Sequence, residues 1–184
     1  MHQDVVDYVK TCELCNKRKV LGEYVNAPMK SIRCTAPWDM VAVDCCSFPQ
    51  SRNDNVEMVV FQDYFTKWLV AIPVPDIKAK TIASVFIKHI VTKFGVPRIL
   101  LSNQGRNFTS NLPAEICKLL QLEKVFTTPY HPQCDGMVER ANRTIQNALA
   151  PYVHKDQRSW DDMLDYVCFA YKLAHIIIRA RVHT

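Results

Sequence analysis

Phe94-Gly95-Val96-Pro97-Arg98-Ile99-Leu100-Leu101-Ser102-Asn103 passes from a helical pattern to an extended one within a few residues. Gly95 suits a left-handed helix cap and Pro97 blocks any continuation, so the apolar run from Arg98 to Ser102 reads as a strand that ends at Asn103. Upstream, Ile82, Val85, Phe86, Ile90 and Phe94 recur at intervals of three or four, and Lys78, Lys80, Lys88 and Lys93 fall largely outside that stripe. This spacing predicts an amphipathic helix over Lys80–Phe94. A helix that hands over to a fully apolar strand points to a layered α/β domain.

Further upstream, Met40-Val41-Ala42-Val43-Asp44-Cys45 follows Pro37-Trp38 and reads as a buried strand with an acid inside it. Residues 56–63 and 68–73 are two β-rich runs joined by Tyr64-Phe65-Thr66-Lys67, which predicts an antiparallel hairpin. Downstream, Pro113 with Ile116, Leu119 and Leu120 indicates a short helix, followed by a strand over Lys124–Thr128. From Met137 on, Val138, Ala141, Ile145, Ala148 and Tyr152 make a core-facing stripe, leaving Glu139, Arg143 and Gln146 on another face. Ser159, followed by Asp162, reads as the cap of a last helix with Trp160, Met163, Leu164, Val167 and Tyr171 buried. Trp38, Trp68 and Trp160 are expected in the core.

The chain has 184 residues, enough for one domain with a small appendage. Its net charge of +5 suits an anionic partner, although a solvated basic surface gives the same figure. No run approaches the roughly 18–20 apolar residues that span a bilayer, and Met1-His2-Gln3-Asp4 does not open a secretory leader. Cys45, Cys46, Cys117 and Cys168 sit in predicted core segments, as reduced thiols of an intracellular protein do, whether nuclear or cytoplasmic.

Asp44, Asn103 and Glu139 carry the chemistry. Glu139 follows Asn103 by 36 positions and lies within His131-Pro132-Gln133-Cys134-Asp135-Gly136-Met137-Val138-Glu139-Arg140-Ala141-Asn142. In order, spacing and context this resembles the catalytic core of retroviral and long-terminal-repeat retrotransposon integrases, closest to the gypsy-type elements, over about residues 1–175. The resemblance implies a ribonuclease H-like fold: a mixed five-stranded sheet flanked by helices. It also implies an Asp-Asp-Glu set that holds two Mg²⁺ or Mn²⁺ ions for DNA strand transfer, DNA as partner, and a homo-oligomer. No small-molecule substrate is expected. By matching position Asp44 and Glu139 are metal ligands, and Asn103 stands where the family carries its second aspartate. Two magnesium ions about 4 Å apart need oxygen ligands and negative charge. An amide supplies no charge, so activity is expected to be impaired. Asp63 and Asp135 are the acids considered as substitutes. His131, Gln133, Asn142, Arg143 and Gln146 are candidate nucleic-acid contacts, with Lys17, Arg18, Lys19 and Arg140 as further phosphate contacts. A host-adopted, non-catalytic DNA- or protein-binding module on the same scaffold is the alternative.

The resemblance divides the chain into residues 1–30, a partial zinc-finger-like segment and linker; residues 31–175, the core; and residues 176–184, an atypical tail. Cys12 and Cys15, at Cys-x-x-Cys spacing, can hold one side of a tetrahedral Zn²⁺. The histidine pair that the resemblance implies would precede them, so the segment reads as the remnant of a zinc site.

Overall fold

Alternate residues of Met40–Ser47, strand β1, serve two different cores. Met40 and Ala42 enter one apolar cluster, while Val41 and Val43 enter another. A strand that is buried on both faces must lie mid-sheet with helices on either side, which is why this segment is apolar without alternation. The computed structural model describes residues 34–127, 136–153 and 158–182, together with Gln3, Tyr8 and Thr11. The chain divides into two compact units, Met1–Arg33 and Cys34–Thr184. Cys12, Cys15, His131, Gln133 and Asp135 lie outside the described residues.

The second unit continues with β2 (Glu57–Asp63) and β3 (Leu69–Val74), then α1 (Ala79–Phe86), which extends through a π-helical turn at Ile87–Val91 and a last turn at Thr92–Phe94. There follow β4 (Ile99–Ser102), α2 (Arg106–Thr109), α3 (Asn111–Leu119), β5 (Glu123–Phe126), α4 (Gly136–Val153) and α5 (Trp160–Val182). The five strands form one sheet in the order β3-β2-β1-β4-β5. The β1–β2 and β2–β3 pairs are antiparallel, whereas β1–β4 and β4–β5 are parallel. The expected mixed five-stranded α/β sheet is therefore the observed one.

One face of the sheet is covered by Val138, Ala141, Ile145 and Leu149 of α4 and by Trp160 and Leu164 of α5. The other packs against Ile82, Phe86 and Ile90 of the first helical run and Cys117 of α3. The indole of Trp160 donates to the Pro49 carbonyl at 2.7 Å and stacks on Phe48 with ring centroids 4.4 Å apart. Beside it, Asp161 accepts from Ser51 at 2.6 Å and Asn55 at 2.8 Å, pinning the β1–β2 loop to the start of α5.

Several local expectations are corrected. Gly95 has φ 91° and ψ 178°, an extended backbone in the positive-φ half that glycine alone adopts readily, rather than a left-handed helix cap. Leu119 is exposed, because α3 turns Pro113 and Cys117 inward instead. On α4 the buried residue is Leu149, whereas Tyr152 and Ala148 are exposed. The expected stripe had a strict seven-residue repeat, and a straight helix of about 3.6 residues per turn drifts off it. Trp68 is also exposed, with the Lys172 ammonium 4.8 Å from its ring.

Asp63, considered as a substitute ligand, is fully buried and spent on the chain itself. It accepts the backbone N–H groups of Trp38 at 2.9 Å, Phe65 at 3.3 Å and Thr66 at 2.8 Å, and the Thr66 hydroxyl as well. It thus closes the β2–β3 turn, where Lys67 holds φ 66°, and ties that turn to the entry of β1. Asp63→Ala leaves these donors unpaired, and the expected loss is about 3 kcal/mol of unfolding free energy. Urea denaturation monitored by tryptophan fluorescence measures it; a loss under about 1 kcal/mol contradicts the assignment.

Candidate active site and its amide clamp

The last parallel pair between β1 and β4 is Val43 with Ser102, so Asp44 and Asn103 are the next residues along the two strands. They stand side by side where β4 ends, while β1 runs on to Ser47 paired with β2. The Asn103 Nδ2 donates to Asp44 Oδ1 at 3.2 Å, while Asn103 Oδ1 accepts the Gly105 N–H at 2.9 Å. Each end of the amide has a partner of the right kind, which fixes its orientation. A Cβ at Gly105 would come within 2.9 Å of Asn103 Oδ1 and 2.4 Å of Asn107 Oδ1, so both of these side-chain amides would have to shift.

The other Asp44 oxygen is held from α4. Asn142 Nδ2 donates to Asp44 Oδ2 at 2.8 Å. Asn142 follows Glu139 by three positions, about one helical turn, so the two side chains leave α4 on adjoining faces. Glu139 is exposed, as expected from its place off the core stripe, whereas Asn142 is buried, with its own Oδ1 left without a partner. Asn142, expected to contact nucleic acid, thus has its amide nitrogen turned inward onto Asp44. The signal was legible in principle, because Asn142 adjoins Ala141 and Ile145 on the buried stripe.

Burial pushes the Asp44 carboxyl above its ordinary value. The Cys45 backbone N–H and the Asn142 amide oppose that rise, and the charge of Glu139 adds to it, so the two acids share one electrostatic environment. Arg143 and Gln146 are exposed on α4 together with Glu139. Gln146 also hydrogen-bonds the Cys46 thiol, yet burial still drives that thiol up to about 12. Burial raises the Cys45 thiol as well, and Asn107 Nδ2 lies 3.9 Å from its sulfur. Neither sulfur is a thiolate nucleophile near neutral pH.

These residues do not fit the two-ion site that the resemblance implies. A divalent ion needs lone pairs directed at it, and both side chains that reach Asp44 present N–H donors to its carboxylate oxygens. Among the described residues, no group of three or more His, Cys, Asp or Glu side chains is placed to hold a metal. The remaining arrangement is a half-buried carboxylate satisfied by two amides, with one exposed acid beside it.

The chain is 29% identical over 142 residues to the retrovirus-related Pol polyprotein from transposon 412 of Drosophila melanogaster, a match that covers 77% of this chain and 12% of that protein. It is 27% identical over 175 residues to gypsy retrotransposon integrase-like protein 1 of Bos taurus, covering 94% of this chain and 34% of the relative. The chain therefore spans about a third or less of the length of these curated relatives. No protein-family model matches it. Among solved structures, the HTLV-2 integrase catalytic core domain in complex with magnesium aligns with a TM-score of 0.60 at 18% identity, covering 74% of this chain and 86% of that one. Sequence relatives and shared fold agree: the chain is a homologue of retrotransposon Pol and integrase proteins and has the fold of the retroviral integrase catalytic core.

Proposed function

We propose that the chain is a DNA-binding integrase-core domain of a retroelement-type protein whose strand-transfer chemistry is lost or severely weakened. The observation that carries this reading is the hydrogen bond from Asn103 Nδ2 to Asp44 Oδ1. An aspartate at 103 would keep one oxygen on the Gly105 N–H and direct the other toward the cleft as a lone-pair donor. Asparagine keeps the first contact and reverses the second. The site then lacks one charge and carries a donor pointed at its remaining buried acid, so divalent ions are held weakly. DNA affinity rests instead on cations such as Arg143 and on the chain's net charge of +5. A host-adopted module that binds DNA or protein without catalysis is the second reading. It is favoured by the match to the Bos taurus integrase-like protein over 94% of this chain.

Two outcomes follow from the amide. Incubated with a labelled duplex bearing free 3′-hydroxyl ends and a plasmid target in Mg²⁺ or Mn²⁺, the native chain should join no detectable label while still binding the duplex with steep salt dependence. Joining by the native chain contradicts the proposal, and joining that appears only in Asn103→Asp supports it. The same substitution should also lower the metal-free melting temperature by about 5 °C, because two carboxylates replace a hydrogen-bonded pair. Both carboxyls would then have folded-state pKa values above their unfolded ones. The deficit should therefore be largest at neutral pH and fade as the pH falls through the carboxylate range. Magnesium in the millimolar range should raise the melting temperature of Asn103→Asp and leave that of the native chain unmoved. Equal metal-induced shifts in the two proteins contradict the amide argument.

A further inference from the structure

Between α4 and α5, reaching down to Gln62 of β2 and Lys67 of the β2–β3 turn, lies a groove of about 1120 Å³ that the Asp44 cluster does not use. Its volume slightly exceeds the range of small-molecule sites, which run to about 1,000 Å³. The two helices cross it in opposite senses, since Arg140, near the start of α4, acts electrostatically on Tyr171, well along α5. This gives the groove two unlike ends. Tyr152 of α4 and Met163 and Tyr166 of α5 line one end, with the exposed Ala148 and Ala170 lining the groove between the ends. Tyr152 and Tyr166 are 52% and 72% exposed, a large aromatic surface to leave in water.

The other end is polar, and only of one sign. Arg140, Lys67 and His175 line it, and the described lining contains no carboxylate. Its floor is Gln62, 1% exposed, whose Nε2 donates to the Lys67 carbonyl at 3.2 Å and to the Tyr171 hydroxyl oxygen at 3.2 Å. Both donor contacts fix the amide, and they leave Gln62 Oε1 buried with no hydrogen-bond partner. A buried acceptor without a donor costs about 1–3 kcal/mol, a deficit that a ligand O–H or N–H at this point removes. The Tyr171 ring also lies 4.6 Å from the His175 ring, which keeps the polar groups at one end of the groove.

We propose that this groove is a binding site for an elongated apolar carboxylate that carries a hydroxyl or amide N–H donor next to its acid group. The carboxylate meets Arg140 and His175, the adjacent donor reaches Gln62 Oε1, and the apolar tail runs over Ala148 and Ala170 toward Tyr152 and Tyr166. The site shares no residue with the Asp44 cluster, and it gives Arg140, expected from the sequence to contact phosphate, a carboxylate instead.

The full chain, labelled with ¹³C at its methionine methyls, provides the test. Met137 and Met163 line the groove, while Met40 and Met58 are buried in the sheet core and serve as internal controls. Titration with monomeric 2-hydroxydodecanoate up to about 1 mM should shift the Met137 and Met163 methyls saturably and leave Met40 and Met58 in place. Dodecanoate, which lacks the donor, should bind several-fold more weakly, and dodecyltrimethylammonium at least about tenfold more weakly. Arg140→Gln should remove most of the preference for the anion over the cation. Ala170→Trp, at an exposed position, should abolish the shifts with Met40 and Met58 unchanged, which certifies the fold. Unmoved groove methyls, equal binding of the cation, or undiminished binding by Ala170→Trp overturns the proposal.

Discussion

The Asp44 carboxylate accepts one hydrogen bond from each of two side-chain amides, Asn103 at 3.2 Å and Asn142 at 2.8 Å, and the character of the cleft depends on that pair. A half-buried acid must be neutralised by a proton, a cation or donors, because desolvation disfavours its charge. Here donors from two different elements, the end of β4 and the first half of α4, each take one of its oxygens. The same contacts tie α4 to the sheet, so the residues that quiet the acid also help place the helix that carries Glu139.

The sheet makes this convergence unavoidable. Parallel pairing of β1 with β4 sets Asp44 beside Asn103 one step beyond Val43 and Ser102, and burial of both sheet faces fixes the register. A slip of one residue would exchange the two apolar clusters of β1 and turn Asp44 out of the cleft. The scaffold thus sets Asp44 and Asn103 side by side, and the side chain at 103 presents a donor to the acid. The fold constrains where side chains stand and leaves open what they do there.

Most of the sheet was legible in the residues, because strands buried on both faces are apolar throughout and the hairpin turn carries polar punctuation. Asp44 beside residue 103 was legible too, as an acid within one strand next to the C-terminal end of another. Helix faces were less so. Leu149 replaced Ala148 and Tyr152 in the core of α4, since a strict seven-residue repeat and a 3.6-residue turn part company over four turns. The helix α2 and the π-helical turn at Ile87–Val91 left no pattern to read: a single turn is too short for periodicity, and one extra residue in a turn preserves composition. The Asn142 bond to Asp44 was missed because the sequence places Asn142 on a helix but does not say what stands 98 positions earlier across the sheet. Trp68 was assigned to the core by residue type, and its exposed ring is instead covered by a lysine from α5.

Whether the two amides or a metal ion occupy the lone pairs of Asp44 decides what this cleft can do. Paramagnetic Mn²⁺ titrated into ¹⁵N-labelled native chain reads this at the atoms concerned, through the side-chain NH₂ signals of Asn103 and Asn142. The clamp predicts that both pairs of signals stay sharp at stoichiometric Mn²⁺, with only general broadening at large excess. Selective loss of these two signals at substoichiometric Mn²⁺ would mean that the ion enters the cleft and the clamp does not close it.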